Sequence, residues 1–474
     1  MLVVKTTPNQ KKMIPANSIN PNGLKDYQVP HVKALVDSLY LNKLACDLSD
    51  TGVGKTYCGA GVAREMNLPV FVICPKIVVP TWNTLLKDFG VSTVATLNYE
   101  LLSRGNTPYL KWNKNIEKEW ECNFKKIPSN ALVIFDEVHK AKGMESLNSQ
   151  MVFASKRQGF KLLVISASVA TNPLEMFSFG FITGLHTETN HNKFKKNFCA
   201  MNGCEWTGRF GTMTFDNETP KAQQAMMKIN DYLFNQKKIA SRISIADLGD
   251  KFPDNEIEAD TYGMGQNTEK INKAYHMMEA ELAMLEEKSK NYSEHIFAIM
   301  MKTRRTVELL KLPTIIELVE DFYIEGKAIV LFTNFNDSAD VLVNKLGKLY
   351  GADQVAVIRG GQSQKVRQEN ITAFQADQKR IIVVNIAAGG VGVSLHDLNG
   401  NHPRISLICP TWSAIQMIQA IGRVWRQGAL SKSIQKIVYA AGTLEEAICN
   451  RVRAKLNNLA ALNDGDVDVS LMKF

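Results

Sequence analysis

The chain has 474 residues, which exceeds one ordinary hydrophobic core and predicts two or three domains. Its composition, 45% hydrophobic and 22% charged with a net charge of +9, is typical of a globular protein and gives weak support for a polyanionic partner. No apolar stretch approaches the roughly 20 residues that span a bilayer, which argues against a membrane protein.

The first 175 residues alternate short apolar runs with helical stretches. The runs are KLACDLS, PVFVICP, STVATLN, ALVIFDE and KLLVISA. Runs of this length, separated by helical stretches, are typical of parallel strands that are buried on both faces of a sheet. Residues 1–175 are therefore predicted to form a first α/β lobe.

A phosphate-binding loop, SDTGVGKT at residues 49–56, follows the first apolar run. Glycines at 52 and 54 let backbone N–H groups close on a β-phosphate, and Lys55 can reach the β- and γ-phosphate oxygens. The Thr56 hydroxyl is a predicted Mg²⁺ ligand, and Ser49 replaces the first glycine of the standard pattern. The residues expected to contact the nucleotide are Thr51, Gly52, Val53, Gly54, Lys55 and Thr56.

Two acidic residues, Asp136 and Glu137, end the fourth apolar run. A carboxylate at the end of a buried strand can hold Mg²⁺ through its water shell, and we assign this role to Asp136. Glu137 is then placed to orient and deprotonate the attacking water. Acid pairs after strands are common on solvated surfaces, but this pair follows a phosphate loop in the same lobe. Together the two motifs predict hydrolysis of a nucleoside triphosphate.

Residues 176–320 are predicted to form a helical insertion, since few β-branched runs occur there. A stripe of Met and Leu within residues 267–310 is interpreted as core. Residues 191–242 hold nine Lys or Arg against four acids, interleaved with Phe194, Phe198 and Trp206. That stretch is either a surface that follows a phosphate backbone or a solvated face over a small core.

The eight cysteines are scattered, and several lie in apolar runs. This usage is typical of unpaired thiols in a reducing, intracellular setting. Cys199 and Cys204, with His186 and His191 upstream, offer a zinc site as the alternative. Their spacing is loose and lacks the usual paired-ligand pattern, so unpaired thiols are the prediction.

Residues 321–474 repeat the scheme of the first lobe. The apolar runs are KAIVLFT, DQVAVIR, RIIVVNI, RISLICP and IQKIVYA. They predict a second α/β lobe. The stretch QAIGRVWRQG at residues 419–428 carries Arg423 and Arg426, whose three-residue spacing predicts that both lie on one helix face.

Motifs in both lobes resemble those of superfamily 2 helicases. DEVH at 136–139 resembles the Asp-Glu-x-His box, and CPKIVVPTW at 74–82 the motif after the second strand. LKDYQVPHV, with Tyr27 and Gln28, resembles the element whose glutamine contacts adenine. ISASVATN at 165–172 is similar to the Ser-Ala-Thr motif. IAAGGVGVSL at 386–395 and QAIGRVWRQG are similar to the glycine-rich and arginine motifs.

Three further stretches resemble the Swi/Snf-like group of that superfamily. They are NYELL at 98–102, CPTWSAIQMIQA at 409–420 and AAGTLEEAICNRVRAKL at 440–456. The resemblance covers about residues 24–462, is faint across the insertion, and is greatest to minimal viral or phage members. Departures from the family pattern at Asn385, Ile386 and Ser394 affect its strand-contacting motif rather than its ATPase residues.

The resemblance implies two RecA-like lobes in tandem that bind ATP and Mg²⁺ between them. Arg423 and Arg426 are then expected at the γ-phosphate, so that Lys55 and Arg426 act on the same triphosphate. Gln419 is expected to hydrogen-bond His139 across the cleft, although a histidine satisfied at the surface is an equal alternative. Arginine in such a cleft stabilises the charge that develops during phosphoryl transfer.

The resemblance also implies contacts to a nucleic-acid backbone, which are independent of sequence and sensitive to salt. The residues it points to are Pro75, Lys76, Thr171, Gly389 and Gly390. The predicted function is an ATP-dependent translocase or helicase on double-stranded DNA. Alternatives are an RNA helicase, a translocase acting on transcription complexes, a restriction motor subunit and an inactive nucleic-acid-binding scaffold. The expected location is intracellular, in the cytoplasm (of the host cell for a viral or phage protein) or the nucleus.

Overall fold

The computed structural model describes residues 23–114, 120–144, 146–207, 212–249, 253–285, 292–389, 393–411, 413–450, 452 and 454. Two six-stranded parallel sheets organise this part of the chain, and both are covered by helices. Two small antiparallel hairpins complete the described strands.

The first sheet contains five of the first seven strands together with the short later strand β10, Ala240–Ser241. The bounds are β1 Leu44–Asp47, β2 Val70–Cys74, β3 Thr93–Asn98, β4 Leu110–Lys114, β5 Trp120–Phe124, β6 Leu132–Asp136 and β7 Lys161–Ile165. Strands β4 and β5 pair as a separate antiparallel hairpin. The sheet order is β10-β1-β7-β6-β2-β3, in which every pairing is parallel. Strands β1, β2 and β6 are fully buried, as continuous apolar runs predict.

Helices on both sides of the first sheet connect its strands. Their bounds are α1 Gln28–Asn42, α2 Lys55–Met66, α3 Val79–Asp88, α4 Tyr99–Ser103, α5 Leu147–Arg157 and α6 Phe177–Thr183. Parallel strands require such crossover connections. As a result the phosphate loop, the acid pair and the 74–82 motif all follow carboxyl ends of strands at one edge of this sheet.

The middle of the chain contains short helices, two long helices and four strands. The elements are α7 His191–Phe194, β8 Glu205–Thr207, β9 Thr212–Thr214, α8 Pro220–Asp231, β10 Ala240–Ser241, α9 Ile245–Leu248, β11 Asn255–Tyr262, α10 Asn267–Ala283 and α11 Tyr292–Ile324. Residues of α10 and α11, including Ile271, Met278 and Val307, are buried in one cluster with the second sheet. Leu282, Ile299 and Met300 are partly buried against the same cluster, so the prediction of core is confirmed for this part of the stripe. It is wrong for Met277, which is 52% exposed.

The second sheet has the order β11-β16-β15-β12-β14-β13 and is also entirely parallel. Its later elements are β12 Ala328–Thr333, α12 Asn336–Tyr350, β13 Val355–Ile358, α13 Gln364–Gln375, β14 Ile381–Asn385, α14 Ile386–Gly389, β15 Arg404–Ile408, α15 Ala414–Val424 and β16 Ser433–Ala440. All ten apolar runs identified in the sequence form strands, which confirms the predicted α/β fold with two parallel sheets.

The middle segment is less purely helical than predicted. Strand β10 extends the first sheet beside β1, and β11 extends the second beside β16. Strand β11 has the sequence NEIEADTY. Its acidic residues interrupt the apolar pattern by which strands are predicted from a sequence. Glu256 and Glu258 are tolerated because they pair with Lys432 and Lys436 at this sheet edge. The division at residues 175 and 320 stays a prediction.

The described helices contain no apolar segment of the length and hydrophobicity that crossing a bilayer would require.

Candidate active site between the two lobes

The phosphate loop lies between β1 and α2 in a conformation that depends on its glycines. Gly52 and Gly54 have φ of 90° and 92°, which L-residues with a side chain rarely adopt. A Cβ at Gly54 would also lie 2.5 Å from the Gln28 Nε2 atom. The Lys55 ammonium donates to the carbonyls of Ser49 at 3.0 Å and Asp50 at 2.8 Å. Burial lowers the pKa of Lys55, although four surrounding carboxylates oppose the shift.

A buried His–Asp pair supports the loop from below. His31 Nε2 lies 3.1 Å from Asp47 Oδ1, and the same carboxylate oxygen accepts the Ser49 N–H at 3.0 Å. Burial alone would raise the pKa of Asp47, but the charge and hydrogen bond of His31 leave it below its usual value. His31 also contacts Ser241 at 2.8 Å, so α1, β1 and β10 are joined beneath the phosphate loop.

Tyr27 and Gln28 lie directly against the phosphate loop. The Gln28 amide donates to the Val53 carbonyl at 2.9 Å, and its Oε1 accepts the Lys25 N–H at 3.0 Å. The Tyr27 hydroxyl lies within hydrogen-bond distance of the same Val53 carbonyl and of Gln427 of the second lobe. Gln28 therefore holds the loop, a role the sequence did not predict. Adenine contacts by these two residues stay a prediction.

Asp136 ends β6 in a buried position beside the phosphate loop. Its Oδ2 accepts a hydrogen bond from Trp82 Nε1 at 2.8 Å, and its backbone carbonyl accepts one from the Tyr99 hydroxyl at 2.9 Å. Burial and the neighbouring Glu137 raise the pKa of Asp136 to about 7. Its carboxylate and the Thr56 hydroxyl are oxygen donors of the kind that Mg²⁺ prefers, so the donor set fits this ion.

Glu137 has a left-handed backbone, with φ of 56°, which is uncommon for a residue with a side chain. Its carboxylate lies 3.2 Å from His139 Nδ1. Burial would raise the pKa of Glu137, but His139, Lys55 and Arg423 lower it to about 2. The side chain is thus ionised at neutral pH and can accept a hydrogen bond from water.

His139 connects the acid pair to two other motifs. Its Nδ1 also lies 3.1 Å from the Ser166 hydroxyl, in the stretch that resembles the Ser-Ala-Thr motif. Its Nε2 lies 3.2 Å from Gln419 Nε2 in the second lobe. The expected contact between His139 and Gln419 is therefore present. The alternative, a histidine satisfied at the surface of one lobe, does not describe this position.

Arg423 and Arg426 approach the acid pair from the second lobe but do not share a helix face. Helix α15 ends at Val424, and Trp425 is extended, with φ −95° and ψ 100°. The prediction of one helix face was wrong, because the Trp425 indole donates to the Pro253 carbonyl at 2.8 Å and turns the chain out of the helix. Burial lowers the pKa of Arg426 to about 9 and that of Arg423 to about 10, so both stay charged at neutral pH.

The arginine segment packs directly on the phosphate loop. A Cβ at Gly422 would lie 2.2 Å from the Thr51 hydroxyl oxygen, so only glycine fits there without displacement. Arg426 is held by hydrogen bonds from its Nε to the Gly422 carbonyl at 2.9 Å and from its Nη1 to the Ser394 hydroxyl at 2.8 Å. The negative charge of Glu137 acts on Lys55, Arg423 and Arg426 alike. All four charges are therefore close enough to interact electrostatically.

The residues expected to contact nucleic acid differ in their accessibility. Lys76 is exposed, whereas Pro75 is buried where the chain leaves β2. Thr171 is only 3% exposed, and both its N–H and its hydroxyl donate to the Glu175 carboxylate. Thr171 thus presents no unused donor here, and a strand contact would require Glu175 to move. Gly389 ends α14, and Gly390 lies outside the described residues.

The basic stretch at residues 191–242 exposes many of its basic side chains but not all of its aromatic ones. Lys193, Lys196, Lys228, Lys237 and Lys238 are exposed. The aromatic side chains at 194 and 198 are buried, however, and stack on one another with centroids 5.4 Å apart. They form core, which favours the second alternative for this stretch, a solvated face over a small core. The third, at 206, is 51% exposed.

Among the described residues, no cluster of possible metal ligands includes Cys199 or Cys204, so the alternative zinc site is not formed. Both His186 ring nitrogens face backbone groups, the Met176 carbonyl and the Glu188 N–H. Cys199 and Cys204 are buried, and their thiols contact each other. The cysteines of the described part of the chain are all unpaired, as predicted.

Four site residues were not predicted as such from the sequence. Trp82 and Tyr99 hold Asp136, Ser394 holds Arg426, and Gln427 bonds to Tyr27. Trp82 and Tyr99 lie in stretches that resemble family motifs, which is the signal that could have singled them out. Gln427 follows the second arginine, but its partner is 400 positions away.

Comparisons with known proteins agree with this geometry. A model of the helicase conserved C-terminal domain matches residues 310–428. A putative ATP-dependent RNA helicase of Acanthamoeba polyphaga mimivirus is 33% identical over 461 residues, covering 93% of this chain and 84% of the viral protein. The DNA repair and recombination protein RAD54 of Saccharomyces cerevisiae is 29% identical over 143 residues, 30% of this chain and 15% of RAD54.

Among solved structures, the Sulfolobus solfataricus SWI2/SNF2 ATPase core in complex with dsDNA covers 94% of each chain at 17% identity, with a TM-score of 0.37. The mimivirus relative is similar over nearly the whole of both chains, and the helicase domain match lies mostly in the second lobe. This chain belongs to the same family of ATP-dependent helicases as the mimivirus protein and is a nucleic-acid-dependent ATPase.

Proposed function

We propose that this protein couples ATP hydrolysis in the cleft between its two lobes to movement along double-stranded DNA. The observation that carries the proposal is the position of Glu137. This first-lobe carboxylate lies 3.2 Å from His139, which contacts Gln419 of the other lobe at 3.2 Å. The charges of Lys55 in its own lobe and Arg423 in the other lobe lower its pKa. Such an arrangement suits one triphosphate enclosed from two sides, so that closing and opening of the lobes can follow hydrolysis.

Each charged residue of the cleft has a distinct part in this chemistry. Lys55 and the loop N–H groups bind the β- and γ-phosphates. Glu137 orients the attacking water, and Arg423 and Arg426 stabilise the negative charge that develops on the transferred phosphoryl group. Thr56 and Asp136 would hold Mg²⁺, which neutralises phosphate charge when it is bound. Gln419 and His139 contact each other between the two lobes, so closure of the lobes can change the position of His139 beside the acid pair.

The nucleic-acid partner is proposed from the position of Lys76 and from the family stretches. Lys76 is exposed at the carboxyl edge of the first sheet, where it can contact a phosphate backbone. The NYELL and AAGTLEEA stretches favour the Swi/Snf-like group, and the similar protein RAD54 is named for DNA repair and recombination. The name of the mimivirus relative favours RNA instead, which makes an RNA helicase the second candidate.

The partner is tested by steady-state ATPase rates with duplex DNA, single-stranded DNA and duplex RNA of equal length. A Lys55→Ala variant prepared in parallel measures contaminating ATPase. We expect duplex DNA to stimulate turnover most, with stimulation falling steeply as salt rises because phosphate contacts release counterions. Stimulation by RNA alone would assign the protein to the second candidate function.

A further inference from the structure

The indole of Trp82 holds the carboxylate that is assigned to Mg²⁺. Trp82 lies on α3, is fully buried, and donates from Nε1 to Asp136 Oδ2 at 2.8 Å. An indole N–H is only a donor and does not titrate, so it fixes one oxygen of the carboxylate at every pH. The Tyr99 hydroxyl fixes the backbone of Asp136 by bonding to its carbonyl at 2.9 Å.

The indole is itself held in place by the helix that follows the phosphate loop. A Cβ at Gly59 of α2 would lie 2.7 Å from Trp82 Cη2 and 2.9 Å from Ile165 Cδ1. Gly59 therefore leaves the space that the six-membered ring of the indole occupies. Helix α2 begins with Lys55 and Thr56, so the ring touches the helix of the phosphate loop while its N–H touches the acid.

The same helix α3 begins just after the segment assigned to nucleic acid. The chain leaves β2 at Cys74, forms a turn at Lys76–Val78, and enters α3 at Val79. Lys76 is exposed on this turn, and only five residues separate it from the buried Trp82. A movement of the turn would therefore reach the indole through one short helix.

We propose that Trp82 is a positioning residue that orients Asp136 for Mg²⁺ binding. This inference deepens the proposed function and rests on it. The inference makes a specific statement about the hydrogen bond from Trp82 to Asp136. Nucleotide binding that depends on Mg²⁺ requires this bond, whereas nucleotide binding without the metal does not. Groups that orient metal ligands in this way change metal affinity by roughly 10- to 100-fold when removed.

The first test compares ADP affinity in Mg²⁺ with ADP affinity in EDTA, measured by displacement of a fluorescent ADP analogue. Trp82→Phe keeps a ring beside Gly59 but lacks the N–H. We expect the gain in ADP affinity from Mg²⁺ to fall about tenfold in this variant, while affinity in EDTA stays within about twofold. Trp120→Phe, at a half-exposed indole in the β4–β5 hairpin, is the matched control and should keep the full gain.

A second variant separates the hydrogen bond from the identity of the side chain. Gly59→Ala leaves the indole intact but places a methyl group where its ring lies. The ring must move, so the Mg²⁺-dependent gain should again fall although the tryptophan is present. Tyr99→Phe, which removes only the bond to the Asp136 carbonyl, should have a smaller effect.

The possible results distinguish this inference from the proposed function. If the native protein shows no gain from Mg²⁺, the proposed ATP chemistry fails. If the native protein shows the gain and folded Trp82→Phe keeps all of it, Trp82 does not position the acid. Equal loss of affinity in Mg²⁺ and EDTA would assign Trp82 a purely structural role and also overturn the inference. Should Trp82→Phe fail to fold, as judged by its thermal transition, Gly59→Ala decides by the same criteria.

Discussion

Asp136 and Glu137 are neighbours in the chain, but their surroundings shift their pKa values in opposite directions. Burial and the adjacent carboxylate raise the pKa of Asp136. Burial acts on Glu137 as well, whose side chain is 15% exposed, yet His139 and the cations of both lobes hold its pKa down. Groups whose pKa values are separated in this way commonly divide the tasks of a hydrolytic site. The separation is consistent with metal binding by Asp136 and water orientation by Glu137.

Substitution of Glu137 by Gln should abolish turnover without abolishing nucleotide binding. The amide keeps the size of the side chain but cannot accept a proton from water, so we expect kcat to fall by roughly 10²- to 10⁴-fold. ATP affinity, measured in the same buffer, should change only severalfold. The exposed Glu65→Gln serves as a control and should leave kcat unchanged. Turnover near the native rate in Glu137→Gln would remove this residue from the water-orienting role.

His396 should make the folded protein sensitive to mild acid. Burial, followed by the charges of Arg426 and Arg404, lowers the pKa of His396 to about 4, against roughly 6.5 for an unfolded chain. The folded state therefore favours the neutral ring. Stability from this group is complete above about pH 6.5 and is lost as pH falls towards 4.

The effect is measured by urea unfolding at pH 7 and pH 4.5 for the native protein and for His396→Gln. We expect the native protein to lose about 1 to 2 kcal/mol more than the variant between these pH values, after allowance for partial solvent screening. An identical pH dependence in both proteins would show that His396 titrates normally in the fold.

At the scale of the elements, single glycines allow close approach between segments from different lobes. Gly422, in α15, lies against Thr51 of the phosphate loop. Gly347 is a comparable helical glycine in α12, but a Cβ there would meet its nearest neighbour, the Ala352 Cα, at 3.7 Å. Both positions are glycines within helices. A methyl group would collide with the phosphate loop at Gly422 but would have room at Gly347.

Gly422→Ala should separate the arginine segment from the phosphate loop. We expect kcat to fall by roughly 10²-fold because a displacement of about 1 Å at a catalytic group has effects of that size. Thermal stability should be kept, since alanine favours helix by roughly 0.5 to 1 kcal/mol. Gly347→Ala should be at least as stable and fully active. Full activity in Gly422→Ala would contradict the close packing of the two segments.

The elements also show what could be predicted from the sequence. Most of the ten apolar runs form strands that are buried on both faces of a parallel sheet, and an apolar run is the pattern that such burial produces. The edge strand β3 is the exception, because it is only partly buried. The two-residue β10 is too short to produce such a pattern, and β11 is too acidic. The hydrogen bond between Trp82 and Asp136 joins residues 54 positions apart, and the bond between Tyr27 and Gln427 joins residues 400 apart. Residue spacing contains no information about such contacts, so only the structure reveals them.

At the scale of the whole molecule, the two lobes meet through both polar and apolar contacts at the cleft. His139 contacts Gln419, and Tyr27 contacts Gln427. Trp425 of the second lobe packs on the apolar cluster beneath the phosphate loop. These contacts place the arginine segment against the phosphate loop of the first lobe. We therefore expect that closure of the lobes also completes the active site.

The most direct test of that account is the affinity of Arg426→Ala for ADP with aluminium fluoride, which mimics the transferred phosphoryl group. Equilibrium binding of Mg²⁺–ADP alone is measured beside it. We predict that ADP affinity changes by at most about threefold, while affinity for the fluoride complex falls by at least roughly 10²-fold, because the guanidinium acts mainly on the transferred group. Undiminished binding of the fluoride complex would contradict the account, since Arg426 would then not act on the triphosphate held by Lys55.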